Sequence, residues 1–252
     1  MRYFQGIKEA AREIRRDLFK APVVRSQSVQ NIDLSEREVT AHEALNYSYT
    51  MAPGTIDQNP IIFLEALRDT GLFPQLLRTE YLAALSNWMS AELGFRLYPL
   101  NTSVNYSNQA DTFHPELFTL KEGGAFSYSY PQRTIGMVQS MARVLATDNT
   151  SRRAFWPIFQ QLDGIRASDL TRIPCTIGYQ AIIRASGDDR FLHFTSLMRS
   201  MDFNRFWMTD LWMAAMVQRE IRHYLPPEIK LGGVSQTILS FHFFNEGEEE
   251  IY

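Results

Sequence analysis

Apolar residues recur at three- and four-residue steps over residues 3–19, where Phe4, Ile7, Ala11, Ile14 and Leu18 are separated by charged side chains. That period predicts an amphipathic helix lying on the edge of a core. Residues 60–94 hold two further helical runs, 61–68 and 76–93, separated by Gly71 and Pro74, residues that interrupt helices. Another run covers 135–146 and stops at the turn-forming Asp148-Asn149-Thr150. Beyond it the texture changes to short apolar runs at 154–159, 176–184, 191–197 and 234–244, which predict strands. Between the last two, residues 207–223 carry Trp212, Ala215, Met216 and Arg219 at helical spacing and predict a buried helix. Strands that do not alternate strictly with helices predict an α+β fold, a mixed β-sheet covered by helices on one side. No repeat, low-complexity block or long Gly/Ser/Pro linker divides the chain, so a single domain over 1–252 is expected.

Composition narrows the function classes. With 45% hydrophobic and 13% aromatic residues, the 252-residue chain has enough apolar surface to build a sizeable core. Its net charge of −3 lacks the broad positive field of proteins that hold a polymeric phosphate backbone, so direct nucleic-acid binding is not expected. A mononucleotide needs only a few local cations and remains compatible. No run of 18 uncharged apolar residues occurs, and Glu9, Arg12 and Glu13 interrupt any signal-like N-terminal core; a cytoplasmic protein without membrane contact is expected. One cysteine, Cys175, can form neither an internal disulfide nor a cysteine-based metal cluster, and no metal is expected. Cys175 is therefore either packing, the commoner fate of a lone cysteine, or chemistry.

Three short segments favour chemistry. Ser151-Arg152-Arg153 follows a turn and precedes an apolar run, so two guanidinium forks, whose geometry matches phosphate oxygens, leave adjacent positions at a strand entrance. Met198-Arg199-Ser200-Met201-Asp202 presents a cation, a hydroxyl and a carboxylate within one short stretch. In Ile173-Pro174-Cys175-Thr176, proline fixes the approach and cysteine opens a strand. Arginines beside a thiol favour its thiolate and ready it for attack.

In this order and spacing, the segments resemble the thymidylate synthase superfamily, in which Ser-Arg-Arg, Pro-Cys and Arg-Ser-x-Asp line one nucleotide pocket. The resemblance runs from about residue 128 to 244. Within the superfamily, Cys175-Thr176 in place of Cys-His, together with Gln180, Ile183, Arg184 and Asp210, is most similar to the deoxycytidylate hydroxymethylase branch, an activity associated with phages that modify their DNA. Cytosine offers an N4 donor and an N3 acceptor; a carboxyl at Asp210 that accepts from N4 and shares a proton with N3 suits it.

The resemblance implies that Cys175 attacks C6 of a pyrimidine nucleoside monophosphate. Asp210 would read the base, and Tyr128 would orient the thiolate or a water. Arg199 and Ser200 of one subunit would hold the phosphate with Arg152 and Arg153 supplied across a homodimer interface. Arg25 lies near the family's N-terminal phosphate arginine, and His242 stands in its sugar-binding position. The donor implied is 5,10-methylene-tetrahydrofolate, held near Trp88 and Asp202. Only eight residues follow Phe244, which favours water completing a hydroxymethyl transfer over hydride transfer. Action on dUMP, as hydroxymethylase or thymidylate synthase, is the alternative enzyme reading, and a nucleotide-binding relative with impaired turnover is the alternative outside catalysis.

Two departures motivate that last alternative. The family carries a glutamate three residues before a tryptophan on an early helix; matching the tryptophan to Trp88 puts Leu85 at the glutamate. The family's late His-x-Tyr is matched by His242-Phe243-Phe244, which lacks the phenol oxygen.

Overall fold

The computed structural model describes residues 1–26, 39–97, 130–166 and 173–244. Its strands are β1 (Arg2–Phe4), β2 (Val23–Ser26), β3 (Val39–Met51), β4 (Phe155–Pro157), β5 (Thr176–Ser186), β6 (Asp189–Asp202) and β7 (Ile229–Phe244). Its helices are α1 (Ile7–Phe19), α2 (Pro60–Arg68), α3 (Thr79–Leu97), α4 (Tyr130–Thr134), α5 (Met137–Thr147), α6 (Gln161–Arg166) and α7 (Trp207–His223), with a 3-10 turn at Pro74–Leu77.

The strands form one sheet in the order β1-β3-β7-β6-β5-β4, with β2 also paired to β3. The β1–β3 and β6–β7 pairs are parallel and the others antiparallel, so the sheet is mixed as expected. The β5–β6 hairpin turns through Gly187, which takes φ +61, a left-handed conformation that glycine adopts without strain. One sheet face is buried under α1 and α7. Its floor consists of Tyr179 and Ala181 on β5, Leu192 and Phe194 on β6, Val234 and Ile238 on β7, and Tyr49 and Met51 on β3, all buried. From α7, Trp207 donates its indole N–H to the Tyr49 hydroxyl at 2.7 Å. Gln218 donates to the carbonyls of Leu192 and Gly232, satisfying backbone that this buried helix would otherwise strand. Residues on the opposite face, Ile182, Phe191, Leu197 and Thr237, stay half-buried.

Regular alternation breaks at one level across three adjacent strands. Buried positions there are three apart instead of two: Met198 and Met201 on β6, Ile238 and Phe241 on β7, Tyr47 and Ala44 against the core on β3. Met198 pairs with Ile238 and Met201 with Phe241; Ile238 pairs in turn with Tyr47, and Phe241 with Ala44. Each strand thus carries one extra residue and register is kept. On β3 the extra residue is Asn46, at φ 55. Such stacked bulges turn a sheet and re-aim side chains; here they turn Arg199 and Ser200 out of the ordinary alternation.

Several elements differ from the sequence expectation. Residues 2–4 pair as a strand, so the first helix starts at Ile7. The helix expected from 76 begins as the Pro74–Leu77 turn and continues as α3 to Leu97, because Pro74 lacks the N–H an uninterrupted helix needs. β3, thirteen residues long, had no counterpart in the expected strands.

Candidate active site

Cys175 lies just ahead of β5, and two features set its position. The backbone N–H of Arg199 donates to the Cys175 carbonyl at 2.8 Å, tying the cysteine to the bulged part of β6. Between Thr176 and Gly178 the β5–β6 register shifts, and a Cβ at Gly178 would stand 2.8 Å from the Trp156 carbonyl. Only glycine admits so close an approach of β4.

The Arg199 guanidinium turns onto the cysteine loop. Its Nε donates to the Pro174 carbonyl at 2.9 Å and its Nη2 to the Ile173 carbonyl at 3.1 Å, while Nη2 also stands 3.8 Å from Cys175 Sγ. A half-buried thiol with a guanidinium at hand is the arrangement in which a thiolate is favoured.

Thr176, the residue after Cys175, belongs to a buried polar group that links four elements. Thr176 is buried, and the Tyr130 hydroxyl on α4 donates to its Oγ1 at 3.4 Å. Tyr179 on β5 is held by Thr176 and Arg96, and burial raises its phenol above the usual range. Arg96 on α3 lies with its Cζ 4.0 Å from the centre of the Tyr130 ring and donates through Nε to Glu92 Oε1 at 2.6 Å. Glu92 is 2% exposed. Burial disfavours the Arg96 charge, but Glu92, Tyr179, Tyr130 and Asp210 more than offset it and raise its pKa well above the ordinary arginine value.

Asp210, in the first turn of α7, completes the group. The residue is half-buried but its carboxyl is surrounded by protein. Burial pushes its pKa up to about 6 from 3.8; Arg96 acts against that shift and Glu92 with it.

The other expected site residues fall as follows. Arg152 and Arg153 are exposed at the entrance to β4, and the Ser151 hydroxyl accepts from the Arg153 N–H at 3.2 Å. Ser200 is half-buried beside Arg199. Arg25 is exposed on β2, opposite Thr40 of β3. His242 pairs with Asp202 on β6 and Glu43 on β3 and packs edge-on against Phe244 at 5.2 Å. Asp202, expected on the folate side, is buried; its Oδ1 accepts from the N–H groups of Asn204 and Arg205 at 2.9 and 3.3 Å, so it holds the turn into α7. Trp88 is half-buried against the core, one helical turn before Glu92. Tyr128 lies outside the described residues. Among the described residues no cluster of potential ligands would hold a metal ion, and no helix is long and apolar enough to cross a membrane.

Leu85 is a core residue, 3% exposed, and Glu80 is exposed at the start of α3. The buried acid of α3 is Glu92. The sequence held a signal for it: Glu92 stands three residues before the aromatic Phe95, the family spacing with phenylalanine in place of tryptophan. Tyr130, two residues after Tyr128, is the described tyrosine that contacts Thr176, and its sequence context does not distinguish the two.

No protein-family model matches this chain, and no curated protein does. Among solved structures, it is similar to the thermostable thymidylate synthase A from Bacillus subtilis, with a TM-score of 0.63 over 97% of this chain and 82% of that one, at 11% identity. The chain therefore has a thymidylate synthase-like fold.

Proposed function

We propose that this chain transfers a one-carbon unit to C5 of a pyrimidine deoxynucleoside monophosphate, with dCMP as the preferred substrate and hydroxymethyl-dCMP as the product. The observation that carries the reading is the Cys175 thiol with the Arg199 guanidinium beside it, next in the chain to Thr176, which Tyr130 links to the buried group of Arg96, Glu92 and Asp210. A thiol nucleophile and a carboxyl able to hold a proton near neutrality are the two parts that addition across a C5–C6 double bond requires.

Cys175 adds to C6, and the electron density that builds at C5 makes that carbon the nucleophile toward the one-carbon unit; C5 then loses its proton, water adds to the transferred carbon as the donor amine leaves, and expulsion of the Cys175 thiolate restores the C5–C6 double bond. Asp210, carrying its proton, donates to cytosine N3 and accepts from N4, which orients the ring and withdraws charge from it. Glu92, held by Arg96, is the nearby acceptor for an ordered water. When bound, 5,10-methylene-tetrahydrofolate supplies the one-carbon unit, with the half-buried Trp88 as the aromatic surface at hand. Arg152 and Arg153, exposed on one chain, suit the phosphate of a neighbouring subunit in a homodimer, as Ser200 and Arg199 suit that of their own. The half-buried sheet face around Ile182, Phe191 and Leu197 is the surface through which two copies would meet.

Incubation with C5-tritiated dCMP and methylene-tetrahydrofolate is expected to release tritium to water and yield hydroxymethyl-dCMP. Preference for dUMP would move the substrate assignment, and absence of release with either nucleotide would remove the enzyme reading. Binding of dCMP without any release would leave a nucleotide-binding protein.

A further inference from the structure

One flank of α1 carries a row of cations. Arg12, Arg15, Arg16 and Lys20 recur at three- and four-residue steps beside the buried stripe of Ile7, Ala11, Ile14 and Leu18, so they share one side of the helix. With Phe19, and with Leu72 just beyond α2, they line an open groove of about 510 Å³ that has no acid among its lining residues. The acids of α1 are engaged elsewhere or at its margin: Glu13 pairs with Arg2 and Arg16, and Asp17 accepts from Arg2 at 2.5 Å and from the Tyr47 hydroxyl at 2.7 Å. Like charges one turn apart repel on a helix surface. The helix macrodipole favours cations at the last turn, which accounts for Arg16 and Lys20 but not for Arg12 and Arg15 farther in. Phe19, stacked on His42 at 5.0 Å and still 56% exposed, gives the groove an apolar wall.

Strand β7 delivers the chain to this groove. The Phe243 ring lies under Arg15, with the guanidinium Cζ 5.5 Å from its centre, and meets the Phe19 ring at 6.0 Å. The segment after Phe244, Asn245-Glu246-Gly247-Glu248-Glu249-Glu250-Ile251-Tyr252, lies outside the described residues and carries four glutamates and no cation. We propose that the basic groove along α1 is the docking site of residues 245–252 of the same chain, their carboxylates meeting the four cations while Ile251 and Tyr252 supply apolar surface for Phe19 and Leu72. Length permits it: eight residues reach up to about 26 Å when extended, whereas Phe19 and Arg12 are separated by about 10 Å along the helix axis. Exposed ion pairs contribute little one at a time. An attached segment, however, is presented at an effective concentration of about millimolar order, which gives it the advantage over a free anion of the same charge. The docking does not depend on the reaction proposed above.

The test uses the full ¹⁵N-labelled chain. Cys175→Ala removes its one cysteine, and Tyr252→Cys then supplies a thiol for a nitroxide label. At low salt the label should broaden the amide signals of Arg12, Arg15, Arg16 and Leu72, and high salt should weaken that broadening severalfold. Arg12→Glu together with Arg16→Glu, both at exposed positions, should abolish it. Adding Glu248→Lys and Glu249→Lys to that variant should bring it back, a rescue that mere nearness of the segment would not give. Should the charge reversal prevent folding, Arg12→Gln with Arg16→Gln serves instead and should reduce the broadening severalfold. Broadening confined to the strand end around His42, or unchanged in either arginine variant, overturns the proposal. So does broadening passed in a mixed sample from a nitroxide-bearing molecule without ¹⁵N to a ¹⁵N-labelled molecule without nitroxide, which would make the occupant a second copy. If the nitroxide leaves these amides sharp while sodium tripolyphosphate shifts them, the groove takes a free anion and the proposal is likewise overturned.

Discussion

Glu92 and Arg96 meet at 2.6 Å inside the fold, whereas Arg152 and Arg153, at the entrance to the edge strand β4, are exposed. Both regions belong to the proposed nucleotide site, but they draw on the fold differently. At the base end, charges are taken out of water and must be neutralised within the chain, so geometry there is coupled to stability. At the phosphate end the charges stay solvated and cost the folded chain little; they become ordered only when an anion arrives. Substitutions should therefore divide by region, those at the base end altering folding and pH response and those at the phosphate end altering binding alone.

Cys175 stands at the junction and should give the largest effect. Cys175→Ala is expected to reduce C5-tritium release on the order of a thousandfold or more, while dCMP binding measured by calorimetry persists. Retained exchange in that variant would remove the nucleophile from the mechanism and leave Cys175 as packing.

Next in size is the buried ion pair. Glu92→Ala leaves Arg96 buried without its bonded partner and should lower unfolding stability by about 3–5 kcal/mol in urea titration. A loss below about 1 kcal/mol, the scale of surface pairs, would mean that the pair is solvated and that the two regions do not differ in kind.

Legibility from sequence followed the same division. The segments proposed for the phosphate end and the nucleophile stand out in the sequence because arginine, serine and cysteine carry their chemistry in their identity, whatever the surrounding strand does. Glu92 does not stand out when Trp88 anchors the Glu-to-Trp spacing; its electrostatic closeness to Asp210, 118 positions away along the chain, exists only once α3 and α7 pack. The helices at 207–223 and near 135–147 were clear from period alone. β3 was missed although Tyr47, Tyr49 and Met51 alternate with Ser48 and Thr50, because the bulge at Asn46 breaks the two-residue period in mid-strand and polar residues occupy much of its other half. The same bulge level shapes the surroundings of Arg199, so the feature that obscured the strand helps build the site.

Asp210 offers a smaller effect with a definite sign. Burial holds its carboxyl at about 6 when its ordinary value is 3.8, so the folded chain binds this proton more tightly than the unfolded chain. The stability it contributes is fully present below about pH 4 and is lost as pH rises through 6. Asp210→Asn should therefore match the parent near pH 4 and exceed it by about 1–3 kcal/mol at pH 8 in urea titrations. Equal stability at both pH values would show that Asp210 is not held in the uncharged form by its surroundings.

The smallest stability effect belongs to the exposed pair. Replacing Arg152 and Arg153 together by alanine should change unfolding free energy by no more than about 0.5 kcal/mol, the ordinary range for surface positions, because neither guanidinium is enclosed. The same double variant should weaken dCMP binding by at least about tenfold, charge-assisted bonds to phosphate each contributing about 1.5–3 kcal/mol, and should leave deoxycytidine binding unaltered. Mixing it with Cys175→Ala offers a sharper form of the test. If the arginines serve the partner's phosphate, mixed dimers contain one site with an intact cysteine and intact arginines, and exchange at low dCMP concentration should rise on mixing above that of either variant alone. If they serve their own chain's phosphate, every mixed site lacks one component and mixing restores nothing, which would place both ends of the nucleotide site within a single chain.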